Sequence, residues 1–331
     1  METEYSNLLS EVPSTSFIED QFAYKTISTE FGQFHVAFDP ILLTKQCRSK
    51  PVILTMHDVG FNHQTNFDQL FSHEKMHSIL KHFFLIHVNA PGQEMYSKTI
   101  SFKEGIGQPN YPTLDQIAES LTQILQHLNV NDFVGFGVGI GANILTRFAL
   151  NHPTFTNGLF LLDCTFKPAK MMETLIGYGM VKMLRNEGKM TNILRKFALG
   201  KHPKTTSLQE DNFQSVKSFN AHNLSLFLHS CLSRNKLNLN RTNSKQNISC
   251  PTLLITGRKS PKMNDSIQMA SKLLPINSSI ICIDGCVHVL SERANAIADA
   301  FQLFLQGLGF IPHYRLMGID GDIVVGGGGG T

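Results

Sequence analysis

Val134-Gly135-Phe136-Gly137-Val138-Gly139-Ile140-Gly141-Ala142 is the stretch whose reading decides the fold. It joins a short apolar run, Asp132 to Phe136, to a helical pattern, Ala142 to Leu150. Working outward, similar runs recur on both sides. Val52 to Met56 ends at His57-Asp58-Val59-Gly60, and Phe83 to Val88 ends at Asn89-Ala90-Pro91-Gly92. Gly158 to Leu162 stops at Asp163, Thr252 to Thr256 at Gly257, and Ser279 to Ile283 at Asp284-Gly285. Apolar runs of about five residues closed by Gly, Asp or Pro are the signature of strands covered on both faces.

Helical patterns lie between these runs. Thr113 caps a segment in which Leu114, Ile117, Ala118, Leu121, Ile124, Leu125 and Leu128 share one face. Ala296, Ile297, Ala300, Phe301, Phe304 and Leu305 mark the last helix. Alternation of strand and helix predicts a mostly parallel sheet with helices on both faces, its site at the carboxyl ends of the strands. Residues 165–245 break the rhythm with a Met-rich helical pattern carrying fourteen Lys or Arg against four acids. They read as an inserted helical cap, basic on an acidic body. The predicted layout is an N-terminal segment 1–23, a domain 24–310 containing the cap, and a flexible tail 311–331 ending in glycines.

Composition narrows the function classes. Of 331 residues, 42% are hydrophobic and 17% charged, enough for a large core and far from a disordered chain. A net charge of +3 gives no bulk argument for nucleic acid. No apolar run is long enough to span a bilayer. The polar, acidic start reads as no secretory signal, and six scattered cysteines suit a reducing compartment. The expectation is a cytoplasmic protein.

The glycine string sits where an α/β-hydrolase carries G-x-S-x-G, with its serine on a strained strand-to-helix turn. In the frame Gly135-x-Gly137-x-Gly139, Gly137 takes the nucleophile position, and glycine offers no hydroxyl or thiol for acyl transfer. The acid position after the strand at Thr252 reads Gly257-Arg-Lys-Ser260, so Ser260 replaces a carboxylate. The histidine position survives as His288, and Asp163 is the remaining acid able to orient it. His57 and Asp58 occupy the loop that supplies an oxyanion-hole amide in active hydrolases, where they are expected to hold the loop by hydrogen bonds. Gly137, Ser260 and His288 are thus positions of a degenerate triad, with no catalytic, cofactor or metal residue assigned.

The chain also resembles a known family, the N-myc downstream-regulated (NDRG) proteins. The resemblance rests on Pro51 to Gly60 with Asn62-His63, on His87 to Gln93, and on Tyr111 to Glu119. It continues through Gly135–Ala142, Ile144 to Pro153 and Ala300 to Phe310, so it runs from about Tyr24 to Phe310. It implies an α/β-hydrolase fold with a helical cap and no hydrolase activity. It further implies a cytoplasmic role in signalling, stress response, differentiation or vesicle trafficking through protein partners. His288 departs from the pattern, because relatives carry Gly there.

Three strings compete with this reading. His73-Glu74-Lys75-Met76-His77 matches H-E-x-x-H, which on a helix sets two zinc ligands on one face with a glutamate base. The extended form would need Gly and His where the chain has Leu80 and Phe83. Gly137-x-Gly139-x-x-Ala142, with Asp163 at the next strand's end, satisfies a nicotinamide-dinucleotide fingerprint. In the cap, Met171, Met172, Leu175, Ile176, Met180, Met183 and Leu184 form an apolar stripe flanked by Lys170, Lys182, Arg185 and Lys189. Such a stripe packs a cap onto its domain more often than it meets an anionic lipid surface.

Overall fold

The computed structural model describes residues 22–44, 50–101, 111–169 and 219–311. Eight strands form one sheet: β1 (Ala23–Thr29), β2 (Gly32–Phe38), β3 (Val52–Met56), β4 (Phe84–Val88), β5 (Phe133–Val138), β6 (Thr156–Leu162), β7 (Thr252–Gly257) and β8 (Ser278–Ile283). Their order is β1-β2-β4-β3-β5-β6-β7-β8. The pairs β1–β2 and β2–β4 are antiparallel, and every later pair is parallel. The described helices are α1 (His63–Phe71), α2 (Glu74–Leu80), α3 (Leu114–His127), α4 (Ile140–Asn151), α5 (Ala221–Leu232), α6 (Met263–Ala270), α7 (Val289–Glu292) and α8 (Ala294–Gly307).

The continuous apolar strands divide between two cores by the two-residue period of a pleated sheet. Val52, Leu54, Ile86, Phe133, Leu159 and Leu161 join α3, α4 and α5 on one face. Ile53, Leu85, Val134, Phe136, Phe160 and Leu162 join α1, α2 and α8 on the other. Phe136 is the centre of the second core, with ring centroids 4.9 Å from Phe160 and 5.0 Å from Phe301. This is the sheet with helices on both faces that the alternation predicts.

One local feature departs from the sequence reading. The β1–β2 hairpin was not among the expected runs: β1, AYKTIST, buries only Ile27 and lies at the sheet edge, so it lacks an apolar run. In the cap region, α5 is bound tightly to the first core through Leu224, Phe227, Leu228 and Cys231. The Met stripe and Lys170, Lys182, Arg185 and Lys189 lie outside the described residues, as do most of the N-terminal segment and the tail beyond Ile311.

Thr113 is the N-cap of α3, as expected, and its side chain and that of Gln116 satisfy each other's backbone amides in a capping box.

Candidate functional site

The turn after β5 sets the geometry. β5 runs through Val138, and Gly139 caps α4 with φ 54° and ψ −111°. Gly139 thus holds the left-handed conformation of a nucleophile elbow. The frame is Gly137-x-Gly139-x-Gly141, two residues beyond the one placing Gly137 at the nucleophile position. Gly137 is instead a strand residue paired with Met56 of β3. The sequence is ambiguous because the four alternating glycines Gly135, Gly137, Gly139 and Gly141 offer two frames; only the strand end resolves it. In either frame the position carries glycine, and the elbow supplies no nucleophile.

The space where a nucleophile's side chain would stand is filled. A Cβ on Gly139 would overlap the carboxyl group of Asp58. Asp58, 4% exposed, follows β3 in the loop facing the elbow. Its Oδ1 accepts hydrogen bonds from the amides of Ile140 and Val59, each at 2.8 Å. Ile140 follows the nucleophile position, and Val59 belongs to the β3 loop. In an active hydrolase, amides at these two places bind the oxyanion of the tetrahedral intermediate. Here a carboxylate of the protein itself holds them. The N-terminus of α4 adds its dipole to the same contact.

Lys262 completes the plug, its Nζ donating to Asp58 Oδ2 at 2.8 Å. Burial raises the carboxyl pKa of Asp58, but Lys262 and the two amides outweigh this and hold it below the ordinary value. Burial lowers the ammonium pKa of Lys262, and the charges of Asp58 and Asp163 more than reverse that. Both groups are therefore ionised at neutral pH. Replacing Lys262 by Met is expected to destabilise the fold by about 3 kcal/mol, because it leaves a buried carboxylate uncompensated. Urea unfolding checks this, and a change under about 1 kcal/mol would show that the pair is not structural.

The other triad positions converge on the same place. Asp163 follows β6 with φ +50°, accepts a bond from Thr256 Oγ1 at 2.6 Å, and is also hydrogen-bonded by the Ser260 hydroxyl. Ser260 follows β7 and is buried. His288 follows β8, its amide donating to Glu292 Oε1 at 2.8 Å. Burial raises the pKa of Asp163 against the pull of Lys262 and His288; burial lowers that of His288 against the pull of Asp163. Each thus lies within the other's field. The structure brings together His288, Asp163 and Ser260 with Gly139, and omits Gly137.

His57 is fixed as a neutral ring. Its Nδ1–H donates to the Asp58 carbonyl at 2.8 Å, and its Nε2 accepts from the Ala90 amide at 3.0 Å. Burial lowers its pKa to about 4. His57 and Asp58 therefore do hold the loop by hydrogen bonds. Lys262 had no sequence signal, since it stands 204 positions from its partner in an exposed-looking loop.

The competing strings acquire structural roles. His73 is the N-cap of the short helix α2, outside it, with Nδ1 accepting from the Lys75 amide at 3.3 Å. His73 and His77 do not form the paired helical ligands of H-E-x-x-H. Among the described residues, no three His, Cys, Asp or Glu side chains are grouped to hold a metal. At the glycine fingerprint, the helix terminus that would receive a pyrophosphate carries the Asp58 carboxylate, and Asp163 is engaged by Thr256.

The fold and site define a protein of the α/β-hydrolase fold whose elbow lacks a nucleophile and whose oxyanion amides are self-occupied. A thermophilic esterase from Thermogutta terrifontis has a similar structure, with a TM-score of 0.65 at 18% identity over 87% of this chain and 99% of that one. At that identity the likeness concerns the fold alone. The chain belongs to the Ndr family, whose sequence profile matches residues 24–312. It is 31% identical to protein NDRG3 of Xenopus tropicalis over 95% of this chain and 80% of that protein. To protein NDRG1-B of Xenopus laevis it is 35% identical, over 80% of this chain and 66% of that protein. Among the described residues, no helix is long and apolar enough to cross a membrane.

Proposed function

We propose that this chain is a non-enzymatic member of its family that acts through protein partners in the cytoplasm, in signalling, stress response, differentiation or vesicle trafficking. One observation carries the non-enzymatic part: the Asp58 carboxylate occupies both oxyanion amides beside an elbow of glycine. A substrate carbonyl would have to displace a buried, ion-paired carboxylate, and would then meet no attacking group. The family membership supports the partner-based role, and the five described cysteines, all free thiols, suit a reducing cytoplasm. In the same reading, residues 24–310 are the working domain. Residues 165–245 cap it, and Lys170, Lys182, Arg185 and Lys189 offer a secondary contact with anionic lipid.

The test is turnover of short-chain p-nitrophenyl esters together with labelling by a fluorophosphonate. We expect no turnover above buffer and no labelled chain. Saturable hydrolysis that disappears in His288→Ala would overturn the proposal, because it would place a working site at these residues.

A further inference from the structure

A cavity of about 320 Å³ lies away from the elbow, between α4, the start of α3 and the loop joining α5 to β7. Its wall is held in shape by Arg147, which is 4% exposed. The guanidinium donates through Nε to Asn143 Oδ1 at 2.9 Å, through Nη1 to Asp115, and through Nη2 to the carbonyl of Asn235. One buried cation thereby ties the loop to two helices, and the site is built before any ligand arrives. Guanidinium has five N–H groups, so two remain without a bond among the described residues.

The rest of the lining has one chemical character. Lys236 and Lys245 face the cavity, are exposed, and form no ion pair among the described residues. Lys236 is fixed from behind by the Phe166 ring, 5.9 Å from its ammonium. Asp115 is the one carboxylate of the lining, and Arg147 neutralises it. Asn151, Asn238 and Gln246 add amides that both donate and accept. Two uncompensated ammonium groups call for a dianion, and the amides call for hydroxyls around it. With only Leu150 and Leu237 as apolar lining, the cavity has little to offer a hydrophobic ligand.

We infer that this cavity binds a small phosphomonoester bearing hydroxyl groups, of the sugar-phosphate kind, with its phosphate between Lys236 and Lys245 and its hydroxyls on the amides. The site is independent of the elbow and of the role proposed above. It also accounts for part of the basic excess in residues 165–245, which packing leaves unexplained.

Calorimetric titration of the full chain tests this, with glucose 6-phosphate and glycerol 3-phosphate as probes, inorganic phosphate as the bare anion and glucose as the uncharged control. Saturable binding of a phosphomonoester, tighter than inorganic phosphate and absent for glucose, is expected. The double variant Lys236→Gln, Lys245→Gln should raise Kd about tenfold or more, since each lysine supplies a charge-assisted contact. Both side chains are exposed, so the double variant should unfold at the same urea concentration as the parent. Lys81→Gln, exposed after α2 on the opposite face of the sheet, should leave Kd unchanged. The inference is overturned if neither phosphomonoester binds at millimolar concentration, if inorganic phosphate binds as tightly, or if the double variant binds like the parent.

Discussion

Lowering the pH from about 6.5 to about 4 should remove several kcal/mol of stability, much of it above about pH 5, where the ordinary carboxylates are still ionised. The agents are buried histidines. Burial lowers His57 and His63 to about 4 each, and takes His87 well below the ordinary imidazole value. As a neutral ring each accepts or donates within the fold: His57 with Asp58 and Ala90 through both nitrogens, His63 with Asn89 through Nδ1, and His87 with Thr55 through Nδ1 at 2.7 Å. His63 and His87 are also stacked, with centroids 5.5 Å apart, so charging one opposes charging the other.

The direction follows from which state binds the proton first. A histidine whose pKa is depressed by folding stays neutral in the fold while the unfolded chain protonates near 6.5. Its contribution is complete above that pH and is lost progressively down to the folded value. For His57 and His63 the interval is about 2.5 pH units, worth about 3 kcal/mol for each ring. His35 and His288 are lowered too and act in the same direction. Asp163, raised by burial, acts in the opposite direction, because its folded form takes up a proton before the unfolded chain does. Asp58, held below the ordinary carboxylate value, adds its loss only at the acid end. Urea unfolding across this range should show a midpoint falling steeply below pH 6.5. His57→Gln, which can keep a donor and an acceptor in place, should make the fall shallower. A midpoint independent of pH down to 5 would mean that these rings are not held neutral.

Much of the architecture was legible because parallel strands covered on both faces must be apolar throughout, and six such runs fell where β3 to β8 stand. The edge hairpin was not, since β1 exposes most of its side chains and needs no apolar run. At the site, the absence of a nucleophile was legible from composition alone, but its position was not. Choosing between Gly137 and Gly139 depends on where β5 ends, and a run of alternating glycines does not mark that point. The plug was harder still. Asp58 read as a loop residue, which it is, but its place in the oxyanion amides depends on two elements far apart in the chain. Ion pairs such as Asp58–Lys262 leave no local periodicity to read. Asp163 and His288 were legible because each follows a strand, at the end of the sheet where sites form.

The second large effect concerns restoring the missing serine. Gly139→Ser alone should destabilise the protein by more than about 4 kcal/mol, and the chain should accumulate as aggregate. Backbone strain supplies only part of this. A residue with a Cβ at φ 54° and ψ −111° costs about 1–3 kcal/mol, which active hydrolases sustain at the same turn. The larger share comes from Asp58, whose carboxyl group fills the volume the new side chain needs. Displacing it would break its bonds to Ile140 and Val59 and strip Lys262 of its partner at once. The obstacle to a serine is therefore the plug more than the turn. That distinction is measurable by introducing Gly139→Ser into the background Asp58→Gly, Lys262→Met, where plug and counter-charge are both removed. The background itself should be less stable than the parent. Within it, however, the serine should cost only the strain of about 1–3 kcal/mol, giving a coupling of at least about 1 kcal/mol between the sites. If Gly139→Ser is equally damaging in both backgrounds, the turn itself forbids a side chain and the carboxylate is incidental. If the penalty falls as expected, loss of the nucleophile and filling of the oxyanion amides are one structural change, and neither can be reversed without the other.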